Sequence, residues 1–154
     1  MGKYLRFALL VMSGLVICNM GMAQMTADPT KWTYEVKKVS GNNYKLIFHL
    51  RLEPKWHIWA LHPGGDGYEI APSFSFNNNT RLKLKGEVSE SGKATTTSME
   101  GIDGKITYYS EKVDYIQNAT IQGKGKIFGK LNYQVCNDNM CLPPKDKDFI
   151  FEVK

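Results

Sequence analysis

The run Tyr44-Lys45-Leu46-Ile47-Phe48-His49-Leu50-Arg51-Leu52 sets Tyr44, Leu46, Phe48, Leu50 and Leu52 at alternate positions, with Lys45, His49, Arg51 and then Glu53 between them. Successive side chains of an extended strand point to opposite faces, so this period of two gathers the apolar set on one face. Upstream, Trp32, Tyr34 and Val36 keep the same period, and Ser40-Gly41-Asn42-Asn43 supplies the turn that folds the two runs into a hairpin. Downstream, residues 56–61 read as a further strand, ended by the Pro63-Gly64-Gly65-Asp66-Gly67 loop. Phe74 with Phe76, and Leu82 with Leu84, mark two short strands on either side of Asn77-Asn78-Asn79. Residues 105–109, 112–116, 126–136 and 148–153 complete the set, and no segment carries a sustained 3.6-residue stripe. Some eight or nine short strands with turn chemistry between them predict an all-β chain, an immunoglobulin-like two-sheet antiparallel β-sandwich. A small closed barrel is the alternative, because it too buries alternate residues of short strands. Residues 86–104 are polar and without period, which predicts a long surface loop and a candidate lid.

The 154 residues are 42% hydrophobic, 12% aromatic and 23% charged, the profile of a folded globular chain. At this length one domain with one core is the expectation. Lys3 and Arg6 precede the apolar run Phe7 to Ile17, and Gly21-Met22-Ala23 offers a small-x-small cleavage site. Residues 1–23 therefore read as a signal peptide and residues 24–154 as the mature domain, which starts at Gln24 and is expected to be periplasmic with no membrane span. A lipoprotein anchored at Cys18 is the alternative, disfavoured by Ile17 just before that cysteine. Removing Lys3 and Arg6 leaves +3 of the net charge of +5, too little, and with no basic run, to argue for nucleic acid.

Two cysteines then remain, Cys136 and Cys141, in a compartment where disulfides persist. Leu131, Tyr133 and Val135 alternate and face the core, which sends Cys136 to the opposite face, outside the sandwich or at its rim. Asn137-Asp138-Asn139 is a turn signal that returns Cys141 beside Cys136, within reach of a disulfide. A structural staple is one reading of that bond. A ring so small constrains the unfolded chain by only about 2 kcal/mol, so a pair at the end of a sheet is easier to explain as exchange chemistry. A zinc site would have to draw on His49, His57 and His62 with no second pair at metal spacing, and no metal or cofactor is expected.

The Tyr133-Gln134-x-Cys136 and Cys141-x-Pro143-Pro144 motifs, with Trp56-His57-Ile58-Trp59 leading into His62-Pro63-Gly64-Gly65-Asp66-Gly67, resemble the N-terminal domain of the DsbD family of thiol:disulfide interchange proteins. The resemblance implies a reversible Cys136–Cys141 disulfide, with Cys141 forming the mixed disulfide. It implies a membrane thiol-carrying protein as electron donor, and disulfide isomerases and the thioredoxin-like proteins of cytochrome c maturation as acceptors. The donor is expected to be a separate protein. The segment before Lys105 resembles the family's cap over the disulfide, with Met99, Glu100, Ile102 and Asp103 as its apolar and acidic residues. Two departures are visible: one residue fewer between the cysteines, and no aromatic residue in the cap.

Trp56, Trp59 and Tyr68 read as packing aromatics and not as a ligand cage. His57 reads as a side chain that satisfies a local hydrogen bond, with a base beside the cysteines as the alternative. Asp138, Glu100 and Asp103, if close to the sulfurs, hold the thiols protonated and less reactive; plain solvation is the other reading. Against the exchange module stands a binding or adaptor sandwich with a merely structural disulfide.

Overall fold

The computed structural model describes residues 28–154, so the expected signal peptide 1–23, Cys18 and the start at Gln24 lie outside the described residues. Nine strands follow one another: β1 (Thr30–Ser40), β2 (Asn43–Leu52), β3 (His57–Gly64), β4 (Ser73–Phe76), β5 (Leu82–Thr97), β6 (Ile106–Ile121), β7 (Gly125–Tyr133), β8 (Val135–Cys136) and β9 (Lys145–Val153). The β1–β2 hairpin expected from the alternation is present, in register from Thr30 opposite Leu52 to Ser40 opposite Asn43. All pairings are antiparallel. One sheet runs β1-β2-β6-β3-β8 with β5 added along β6, and the other runs β4-β7-β9. No ladder joins the two sheets among the described residues, so the fold is the expected sandwich and not a closed barrel.

The alternating residues of both sheets meet in one aromatic core. Phe48, fully buried, has ring centroids of Phe74, Phe149 and Phe151 at 4.6, 4.8 and 4.9 Å. Gly129 on β7 is what lets Phe149 lie so close, since a Cβ there would strike the Phe149 ring and the Ser75 carbonyl. Gln117 is the polar exception on the inner face. Its Nε2 donates to the carbonyls of Lys85, Gly86 and Asn118, where β5 breaks register, so no donor is stranded.

Three expectations are corrected. Residues 86–104 are mostly not a loop: β5 runs to Thr97 and pairs with β6 nearly throughout, leaving only 98–105 as connection. Beyond Leu84 the strand was invisible to periodicity because it is an edge whose side chains are largely exposed, with Leu82 and Val88 alone packed on the core. Residues 105–109 and 112–116 are one strand, β6, which pairs with β3 through Ser110 and with β2 from Lys112 onward. Glu111, at φ 66°, takes up the irregularity between the two partners. The expected strand 126–136 is two: β7 lies in the smaller sheet, and after Gln134 the chain enters β8 in the larger one.

Candidate functional site

The crossing at Gln134 builds the site. Val135 and Cys136 pair with Ile58 and His57 of β3, so Val135 faces the core while Cys136 leaves on the outer face, as the alternation predicted. Asn137 then turns the chain: its Oδ1 accepts from the backbone N–H groups of Asn139 and Met140, both at 2.9 Å, and its own N–H donates to the Met140 carbonyl. Cys141 returns opposite Cys136 in a single bridge, with a disulfide between them and Cα atoms 4.0 Å apart. Beyond it the Leu142 N–H donates to the Val135 carbonyl, and Gln134 Nε2 donates to the Leu142 carbonyl.

The two sulfur-bearing residues are unequal. Cys141 is exposed, whereas Cys136 is 2% exposed. Cys136 belongs to a second apolar cluster with Trp59 and Ile106, set apart from the main core and packed by Met99, Ile102 and Tyr108. On the outer face of the sandwich the connection 98–105 folds down over it, with Met99 and Ile102 packed on the cluster. Met99-Glu100-Gly101-Ile102 is a turn, closed by the Ile102 N–H on the Met99 carbonyl, with Gly101 at φ +82° in its third position. Met99 and Ile102 thereby point to the cluster, while Glu100 and Asp103 are exposed. At the base of the turn Gly65 N–H donates to the Lys105 carbonyl, and Gly64 opposes Ile106. Both glycines have positive φ, and a Cβ on Gly65 would press on the Ile106 side chain.

His57 does not do what its sequence setting suggested. It is buried with its Nε2 unpartnered, and its ring lies against Trp59 and Tyr108 at 4.9 and 4.7 Å. Burial pushes its imidazole below the ordinary value, with the Asp138 carboxylate pulling the other way. Trp59 packs as expected, while Tyr68 is 87% exposed and packs on nothing large. His49 is elsewhere, between Asp114 at 2.8 Å and Glu35 at 3.1 Å, and His62 is exposed. Ile106 and Tyr108, which form the floor of the cluster, were not singled out by sequence. Their alternation within 105–109 was the available signal.

On the far side of the cysteine hairpin a cleft of about 240 Å³ is lined by Val135, Leu142, Pro143 and Pro144. Its polar edge is Asp28, whose Oδ2 accepts from Tyr133 Oη at 2.7 Å and Lys145 Nζ at 2.8 Å. Burial alone would raise the Asp28 carboxyl, but the hydrogen bonds from Lys145, Thr30 and Tyr133 outweigh it and hold it below the ordinary value. The start of the described chain is thus tied beside the Pro-Pro segment that follows Cys141.

The family model for the N-terminal region of the thiol:disulfide interchange protein DsbD matches residues 23–152. Among solved structures, the chain is similar to the N-terminal periplasmic domain of ScsB from Proteus mirabilis, with TM-score 0.62 and 17% identity over 81% of this chain and 47% of that one. The chain thus spans about half the length of that domain. It is also similar to the N-terminal domain of Neisseria meningitidis DsbD in the reduced form, with TM-score 0.51 and 19% identity over 79% and 84% of the two chains. A third likeness is to the complex between the DsbD and PilB N-terminal domains of the same organism, with TM-score 0.50 and 18% identity over 77% and 80%. At these identities the likeness is one of fold. No curated protein matches the sequence.

Proposed function

Since the chain belongs to the family of N-terminal domains of the thiol:disulfide interchange protein DsbD, we propose that it is a periplasmic thiol-disulfide exchange module working through a reversible Cys136–Cys141 disulfide. The observation that carries this reading is the inequality of the two cysteines, one exposed on a hairpin and the other buried beneath an apolar turn. Exchange needs that asymmetry. A partner thiolate attacks Cys141 Sγ, the Cys141–partner bond forms, and the Cys136–Cys141 bond breaks with its electron pair on Cys136 Sγ. A second thiolate of the partner then displaces Cys141, and the partner leaves oxidised.

In this reading a membrane thiol-carrying protein supplies the electrons, and thioredoxin-like proteins or disulfide isomerases accept them. A solved complex of a DsbD N-terminal domain with a PilB N-terminal domain supports a protein partner of that kind. Residues 1–23 direct export and are removed at Ala23. Met99 and Ile102 shield Cys136 in the free protein, with Glu100 and Asp103 at the tip to meet an incoming partner. Among the described residues no helix is long and apolar enough to cross a membrane.

The deciding measurement is the reduction potential of the pair. A value above about −300 mV, in the range of exchange proteins, supports the module, and one well below it marks a structural bond in a binding domain. Trapping gives the roles: Cys136→Ser is expected to hold a covalent partner complex through Cys141 more readily than Cys141→Ser does through Cys136. Equal trapping overturns the assignment.

A further inference from the structure

His57 stands directly opposite Cys136 across the β3–β8 pair, so the two side chains leave the same face of adjacent strands. It is 6% exposed, and its Nε2 is buried with no hydrogen-bond partner among the described residues. Its walls are the rings of Trp59 and Tyr108. A phenylalanine would line this site without leaving a nitrogen orphaned, so packing alone does not account for the imidazole. A disulfide sulfur carries no proton and is a poor partner for that nitrogen. A thiol at the same position can donate to it, and a thiolate can accept from the protonated ring.

We propose that His57 is the proton acceptor for the Cys136 thiol, and that its partner is missing because the pair is in the disulfide state. The inference rests on the exchange function proposed above and assigns one of its steps. With Cys136 a free thiol and Cys141 joined to an acceptor protein in a mixed disulfide, Cys136 gives its proton to the imidazole and attacks Cys141 Sγ as a thiolate. The Cys136–Cys141 bond forms, and the Cys141–acceptor bond breaks with its electron pair on the acceptor's sulfur. The proton then passes from the imidazolium to water or to the departing thiolate. In the opposite direction the imidazole returns the proton to Cys136 once the disulfide opens.

Few groups compete for this role. Facing His57 are Cys136 from β8, Tyr108 and Ser110 from β6, and Asp138 from the turn after β8. Lys55, Glu111, Glu100 and Asp103 on the surrounding segments are all exposed. Burial keeps the His57 ring neutral near pH 7, with its lone pair unprotonated, and the Asp138 carboxylate favours the imidazolium that forms when the ring takes a proton.

The test uses the full chain carrying Cys141→Ser, alone and combined with His57→Phe or His57→Gln. The rate of Cys136 alkylation by iodoacetamide is followed against pH by mass spectrometry of the peptide that contains it. With His57 present, the alkylation midpoint is expected to lie about one pH unit below that of either variant, because the imidazole can hold the thiol proton as an imidazolium beside the thiolate, which phenylalanine and glutamine cannot do. Coincident midpoints overturn the proposal. So does a His57→Gln midpoint equal to the parent's, since glutamine fills the site and hydrogen-bonds but does not titrate; this variant decides if His57→Phe fails to fold. The reduction potential separates the two readings. A parent protein with an exchanging disulfide and coincident midpoints loses His57 alone, whereas a structural potential with separated midpoints loses the exchange reading and keeps the proton acceptor.

Discussion

Two apolar clusters lie among the described residues, and they are closed in different ways. The larger lies between the sheets, where Phe48 is ringed by Tyr34, Phe74, Phe149 and Phe151 from strands on both sides. The smaller lies on the outer face of one sheet, where Trp59, Ile106 and Cys136 are packed by Tyr108 and by the half-buried Met99 and Ile102 of a single turn. Opening the first means parting two sheets. Opening the second means lifting a few residues with no ladder of their own, so the sulfur can be uncovered without unfolding the domain.

The comparison can be broken from either side. The largest effect should come from the main core: Phe48→Ala is expected to cost about 3–5 kcal/mol of stability in denaturant unfolding, because the surrounding rings cannot collapse into the space. It should leave the reduction potential of any folded protein unchanged. Next is Cys136→Ala with Cys141→Ala, which should cost about 2 kcal/mol, the constraint of a small ring on the unfolded chain. A protein that cannot fold without the pair would make the smaller cluster a second core and the bond a staple. Met99→Ser with Ile102→Ser should cost a similar amount, about 2 kcal/mol, since both side chains are half-buried. That change should nonetheless speed reduction of the disulfide by dithiothreitol severalfold in stopped-flow measurements. An unchanged rate would mean that this turn does not guard the sulfur.

The smallest effect is electrostatic and lies away from both clusters. Partial burial disfavours charge on His49, but hydrogen bonds to Asp114 and Glu35 and their negative charge outweigh it, so its imidazole is held above the ordinary value. A raised value in the folded state means that the protonated ring stabilises the fold. The contribution is complete below the unfolded value of about 6.5 and is lost as pH rises through the folded one. For a group this accessible it should be worth only about 0.5 kcal/mol. Thermal unfolding of His49→Gln across that range should lack the decline with pH seen in the parent.

Local sequence determined the parts of this protein whose burial is one-sided. The β1–β2 hairpin, the core face of Leu46, Phe48 and Leu50, and the turn between the cysteines were all legible, because strand alternation and turn chemistry are set by neighbours in the chain. Tertiary structure alone decided the rest. β5 shows no period beyond Leu84 because most of its side chains are exposed, and its place is set by pairing with β6. β6 reads as two strands because it serves two partners in turn, β3 and then β2. The burial of Cys136 depends on the 98–105 turn and on β3 and β6, and the walls of the His57 ring include Tyr108 of β6, all distant in sequence from the residue they cover. The alternation could say which face Cys136 left by, but not what would cover that face, because contacts between distant segments leave no mark on the period of either.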